Sequence, residues 1–165
     1  SASAALTALE QFTGRSEKVV GLASLALANL VFKSDLYIKY LLEERGPGRI
    51  VAAMRLMKDS GHVQAAGAWA IAALAQKHET LRAESVAEGA VEEVQAAAAV
   101  HHASAAVQRN AALALLHLKE PASNRDRESR EGDEVHEAGS YEAGSYDAGF
   151  DPGNEEEDNL DCAIQ

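Results

Sequence analysis

The sequence repeats an apolar pattern every 44 residues, and this period restricts the fold more than any other feature. The stretches VVGLASLALANLV, VQAAGAWAIAALA and VQRNAALALLHLK begin at Val19, Val63 and Val107. Each stretch is rich in alanine, contains no proline and is apolar on nearly all sides, as is typical of a helix buried inside a stack. The period therefore predicts a series of similar helical units.

Shorter helices are predicted between these stretches. SDLYIKYLLEER starts with Ser34 as its N-cap and ends at the Gly-Pro-Gly sequence that begins at Gly46, and HETLRAESVAE ends at Gly89. One unit is thus a short helix, a glycine turn, a second helix, a polar turn and a long apolar helix. About two and two-thirds units fit the chain, so we expect the end of a longer array or a module that relies on a partner.

The charge distribution divides the chain into two segments. Residues 1–120 contain 12 basic and 12 acidic residues, whereas residues 121–165 contain 3 and 14 and therefore hold the whole net charge of −11. The second segment has no helical apolar periodicity, which predicts a disordered acidic tail. Its repeat EAGSYEAGSYDAGFD, with Tyr141, Tyr146 and Phe150, is interpreted as a flexible linker, or as a short linear motif open to tyrosine phosphorylation.

The first segment resembles the armadillo-repeat family, with HEAT repeats as the close alternative. EGAVEEVQAAAAV is similar to the second helix of an armadillo unit, and VQAAGAWAIAALA and VQRNAALALLHLK are similar to its third helix. The resemblance covers roughly residues 2–120. It implies an all-α, right-handed helical solenoid over residues 1–120, followed by the acidic tail.

In armadillo proteins the third helices line a concave groove that binds extended peptides. The importin-alpha branch uses a tryptophan that stacks on the ligand and, four residues later, an asparagine that bonds the ligand backbone. The corresponding pairs here are Leu25 with Asn29, Trp69 with Ala73, and Leu113 with His117. No unit keeps both members, so we do not expect a groove for nuclear-import cargo.

Lys33 and Lys77 lie 44 residues apart on the predicted groove, where they favour an acidic ligand, as in beta-catenin-like grooves. Alternatively, both lysines only complement helix C-termini. Trp69 either contacts the ligand or packs in the core. The residues predicted to bind the peptide are Asn29, Lys33, Trp69, Lys77, Asn110 and His117.

Other classes of function lack their motifs. There is no glycine-rich phosphate loop and no GxSxG, and the His101-His102 and Glu92-Glu93 pairs have no third ligand at a fitting spacing. We therefore expect no enzyme, no cofactor, no metal and no small-molecule substrate. Nucleic acid is not an expected partner, because residues 1–120 are neutral and the tail is acidic.

The only cysteine, Cys162, lies in the final CAIQ, which has the C-a-a-X form that suits farnesylation. The acidic run before it lacks a basic companion signal, so a prenyl group would give weak, reversible membrane association. The alternative is a chance match. The uncharged run of residues 19–32 is shorter than the roughly 20 residues of a membrane span. The predicted localisation is cytoplasmic.

These features together predict a non-enzymatic interaction module, or scaffold, that binds an extended and acidic protein segment on its third helices. Two alternatives are a farnesylated adaptor at a membrane and a structural component of a larger cytoskeletal or ciliary assembly. Because the acidic tail is tethered to the predicted groove, we also expect it to compete with outside ligands at a high effective concentration.

Overall fold

The computed structural model describes residues 1–120, and these residues are all-helical, without a strand. The predicted all-α class is therefore confirmed for this part of the chain. The helices are α1 (Ala2–Phe12), α2 (Glu17–Val31), α3 (Asp35–Glu43), α4 (Gly46–Leu56), α5 (Gly61–Lys77), α6 (Glu79–Ala87), α7 (Ala90–Val100) and α8 (Ala105–Lys119). The predicted tail, residues 121–165, lies outside the described residues.

Corresponding helices begin 44 residues apart. This spacing separates α1, α4 and α7, which we call the second helices, and also α2, α5 and α8, which we call the third helices. The short helices α3 and α6 are related by the same spacing. Two three-helix units, α3 to α5 and α6 to α8, thus follow the pair α1 and α2.

The third helices start in the same way because each has a serine N-cap. The hydroxyl oxygens of Ser16, Ser60 and Ser104 accept hydrogen bonds from the backbone N–H groups of Val19, Val63 and Val107 at 3.4, 3.3 and 3.4 Å. Such a cap satisfies a helix N–H group that has no partner within the helix. Ser34 caps α3 in the same manner, as the sequence predicts.

The centre of the described structure is α5, which packs against α2 on one side and α8 on the other. Twelve of its 17 residues are buried, and eight of these twelve are alanines or a glycine. Small side chains let neighbouring helices approach closely, so the low aromatic content of 5% is consistent with this core. The second helices contribute larger buried side chains, including Leu9, Ile50 and Met54.

Ion pairs connect consecutive units on the side of the second helices. Arg49 on α4 reaches Glu10 on α1 at 3.3 Å, and Arg55 on α4 reaches Glu93 on α7 at 3.2 Å. A further pair joins Arg45 to Glu88, whose hydrogen bond and charge raise the pKa of the Arg45 guanidinium. Each pair has one exposed side chain, so it contributes little stability but favours one alignment of the units.

Candidate peptide-binding face

The predicted site residues occupy successive turns of the third helices, which lie side by side. We use the name third-helix face for three sets of equivalent positions. They are Leu25, Trp69 and Leu113; Asn29, Ala73 and His117; and Lys33 and Lys77. Residues four apart on a helix share one side, so each helix contributes a short column to this face, which Lys33 follows in the turn after α2.

The first set is apolar and half-buried. Trp69 and Leu113 pack against the hydrophobic core, and Leu25 is exposed to a similar intermediate extent. Trp69 therefore contributes to the core while part of its ring stays accessible. This position is compatible with both hypotheses for Trp69, core packing and ligand contact.

The second set differs between the units. Asn29 is exposed on α2, whereas Ala73 is buried on α5. The His117 side chain is only 12% exposed, and its Nδ1 atom lies 3.7 Å from Glu120 Oε2. That nitrogen is buried and has no hydrogen-bond partner among the described residues. A ligand could therefore reach Asn29 directly, but His117 only after a local rearrangement.

The third set is cationic. Lys77 is the last residue of α5, and Lys33 lies two residues beyond the end of α2. Both side chains are exposed, and neither takes part in the ion pairs found among residues 1–120. Their placement at helix ends is compatible with interaction with the helix dipoles as well as with a ligand.

Asn110 does not lie on this face. It is only 3% exposed, and its Nδ2 atom donates a hydrogen bond to the carbonyl oxygen of Ala65, at 2.9 Å. The side chain thus joins α8 to α5, and its amide is not accessible to a peptide. Asn110 is therefore not part of the candidate site. The residue at the equivalent position in α5 is Ala66, which is also buried, and this match was visible in the 44-residue alignment.

The sequence interpretation also missed an exposed aromatic residue. Phe32 follows α2 directly, is 52% exposed and stands next to Lys33. Its equivalent in the next unit is Gln76, so the apolar character is not repeated. A separate cavity of about 240 Å³ lies between α1 and α4 and is lined mainly by Leu9, Ala53 and Leu56. That cavity belongs to the second helices and is not part of the third-helix face.

Within residues 1–120 no group of three or more histidine, cysteine, aspartate or glutamate side chains is placed to hold a metal ion. His101, which the sequence analysis weighed as a ligand, instead has its Nε2 atom 2.7 Å from the carbonyl oxygen of Lys58. None of helices α1 to α8 is long and apolar enough to cross a bilayer. Cys162, Tyr141, Tyr146 and Phe150 lie outside the described residues.

The chain matches no protein-family model, no curated protein and no solved structure.

Proposed function

We propose that residues 1–120 form an armadillo-type, right-handed solenoid that acts as a non-enzymatic protein-binding module in the cytoplasm. Three-helix units at a spacing of 44 residues, with the third helices side by side, support the family assignment. In this proposal an extended protein segment lies across α2, α5 and α8 in turn, along the third-helix face.

The chemistry of the face suits such a ligand. Half-buried Leu25, Trp69 and Leu113 offer apolar area for the stems of ligand side chains. The amide of Asn29 can both donate to and accept from a peptide backbone. An extended ligand has no hydrogen bonds within its own backbone. Hydrogen bonds from Asn29 therefore replace those that the backbone groups of the ligand make with water.

The observation that carries the proposal is the pair of exposed lysines, Lys33 and Lys77, at equivalent positions of the repeat near the C-terminal ends of α2 and α5. Two cations that recur with the repeat favour a ligand with acidic residues at a matching spacing. Such charges steer association and select partners more than they raise affinity. The proposed ligand is therefore an extended acidic segment of a protein.

A titration of the full chain with an acidic peptide tests this function. The probe is a labelled 15-residue peptide with the sequence of residues 137–151, which carries four carboxylates, and the readouts are peptide anisotropy and the fluorescence of the only tryptophan. We expect binding at low salt, weakened about tenfold by the Lys33→Glu/Lys77→Glu double variant if each charge contributes about 0.7 kcal/mol. Salt should weaken binding to the unaltered chain in the same direction.

The matched control is Lys58→Glu, because Lys58 is exposed and lies in the turn before α5, at the opposite end of that helix from Lys77. Binding that is equal in the double variant and in the unaltered chain would exclude the cationic face as the peptide site. Repeating the titration with residues 121–165 deleted tests competition by the tail, since removal of a tethered competitor should increase the affinity for the probe.

A second proposal rests on CAIQ alone. If Gln165 is the last residue of the chain, Cys162 fits a farnesylation site and the module would associate weakly and reversibly with a membrane. The mass of the intact chain from a eukaryotic host, compared with that of Cys162→Ser, measures the modification. If the mass of the intact chain corresponds to an unmodified thiol at Cys162, farnesylation in that host is excluded.

A further inference from the structure

Consecutive third helices contact each other through a constant set of positions. On the side that faces the preceding unit, which we call the upstream face, these are Val63, Ala66, Ala70 and Leu74 in α5 and Val107, Asn110, Ala114 and Leu118 in α8. All eight residues are buried. The hydrogen bond from Asn110 to Ala65 confirms that this side of α8 meets α5.

The same four positions of α2 are Val19, Leu22, Ala26 and Leu30, of which Leu22 and Ala26 are exposed and the other two half-buried. Leu22 is 56% exposed, whereas its equivalents Ala66 and Asn110 are 1% and 3% exposed. Ala26 is also exposed, whereas Ala70 and Ala114 are fully buried. The upstream face of α2 thus has the composition of a buried helix face. Among residues 1–120 no helix covers it in the way that α2 covers the upstream face of α5.

The complementary downstream face is built from small residues where it is covered. It consists of Gly21, Ser24, Ala28 and Val31 in α2 and of Ala65, Ala68, Ala72 and Ala75 in α5. A Cβ added to Gly21 would meet the imidazole ring of His62 at the start of α5. In α8 the same positions hold Arg109, Ala112, Leu116 and Lys119, all of which are exposed.

We infer that the upstream face of α2 docks a helical unit with a small-residue contact face, which continues the stack as α2 continues onto α5. The contacting helix of the partner must carry glycine, alanine, serine or another small residue at the positions of Gly21, Ser24, Ala28 and Val31. Continuity with the α2–α5 and α5–α8 contacts is the physical basis, since Leu22 and Ala26 occupy the buried positions of those contacts. This surface is separate from the third-helix face and does not depend on the proposed peptide binding.

A second copy of the chain does not suit this surface. In a head-to-tail stack Arg109 would take the place of Gly21 and would meet Lys18, which stands at the position of His62. This contact between like charges, together with the bulk of Leu116 at an alanine position, opposes self-association.

The test converts the downstream face of α8 into that of α5. The full-length triple variant Arg109→Ala/Leu116→Ala/Lys119→Ala presents four alanines, as α5 does, and serves as the probe for a small-residue partner. Alanine is a strong helix former, and the three positions are exposed, so the variant should keep its helix content, as measured by circular dichroism. We expect it to form open head-to-tail oligomers while the unaltered chain stays monomeric in sedimentation velocity.

Adding Leu22→Glu to the triple variant should weaken this association at least tenfold. The control is Leu36→Glu in the same background, because Leu36 is 78% exposed and lies on α3, which provides neither of the two faces. This substitution should leave association unchanged.

Three results would overturn the inference. The first is a triple variant that keeps its helix content and either stays monomeric up to about 100 μM or associates to the same extent when Leu22→Glu is added. The second is an unaltered chain that associates through Leu22, which would make a second copy the occupant. The third is association of the triple variant only after deletion of residues 121–165, which would assign the face to the tail.

Discussion

Arg45 adopts a left-handed backbone conformation, with φ of 53°, immediately before α4. The equivalent residue before α7 is Gly89, with φ of 86°. A β-carbon makes this conformation unfavourable, and glycine avoids the cost. Arg45 has a partial compensation, since its guanidinium group forms a hydrogen bond with Glu88 in the following unit.

We predict that Arg45→Gly is more stable than Arg45→Ala by about 1 kcal/mol in urea unfolding. Both variants lose the contact with Glu88, so the difference isolates the conformational cost of the β-carbon. Gly89→Ala is the reciprocal control and should lower the free energy of unfolding by a similar amount, as Gly89 shares the conformation. Equal stability of the two Arg45 variants would show that the turn relaxes into another conformation.

At the scale of the helices, glutamine side chains close the ends of α4 and α7. Gln64 Nε2 donates to the carbonyl oxygens of Met54 and Met57, at 2.8 and 3.0 Å. Gln108, at the equivalent position in α8, makes the same pair of hydrogen bonds at the end of α7, at 2.7 and 3.3 Å. Carbonyl groups in the last turn of a helix lack partners within the helix, so each glutamine ties a second helix to the following third helix.

Gln64→Ala should lower the free energy of unfolding by about 2 kcal/mol, because it leaves buried carbonyl groups without a donor and opens a cavity. Gln108→Ala should cost about 0.5 kcal/mol or less, since Gln108 is exposed and water can replace its amide. Gln95→Ala, on the exposed side of α7, controls for the loss of a surface glutamine. Urea unfolding of the three variants gives the comparison, and similar costs at Gln64 and Gln108 would contradict it.

The helices themselves were largely predictable from the sequence. The apolar stretches coincide with α2, α5 and α8, and Ser34 and Gly89 stand where α3 begins and α6 ends. The serine caps could also have been predicted, because Ser16, Ser60 and Ser104 share the 44-residue spacing. Local patterns specify helices well, as capping and periodicity act within one or two turns.

The faces were harder to predict, because the side of a helix that is covered depends on its neighbours. Asn110 was assigned to the peptide site, yet the packing of α8 on α5 buries it. Leu22 looks like a core residue in its apolar stretch, but nothing among residues 1–120 covers it. A position in the repeat fixes the direction of a side chain, whereas its exposure is set by which unit comes next.

At the scale of the described molecule, the inter-unit ion pairs reverse their polarity along the stack. Arg49 pairs with Glu10 of the preceding second helix, while Glu93, its equivalent one unit later, pairs with Arg55 of the preceding second helix. The pairs therefore favour one alignment of adjacent units more than they add to stability.

Stability should also vary along the stack, because each third helix is held by its neighbours. Both sides of α5 are covered, whereas α2 is open on its upstream face and α8 on its downstream face. We therefore predict that backbone amides in the centre of α5 exchange with solvent most slowly among residues 1–120. Those of α2 and α8 should exchange at least about tenfold faster, a difference of about 1.4 kcal/mol in local opening.

Hydrogen–deuterium exchange read by mass spectrometry on peptides from the three helices measures this order. The triple variant Arg109→Ala/Leu116→Ala/Lys119→Ala supplies the control, since head-to-tail association should slow exchange in both α8 and α2. Protection of α8 equal to that of α5 in the unaltered monomeric chain would show that the downstream face of α8 is covered, and would contradict the gradient.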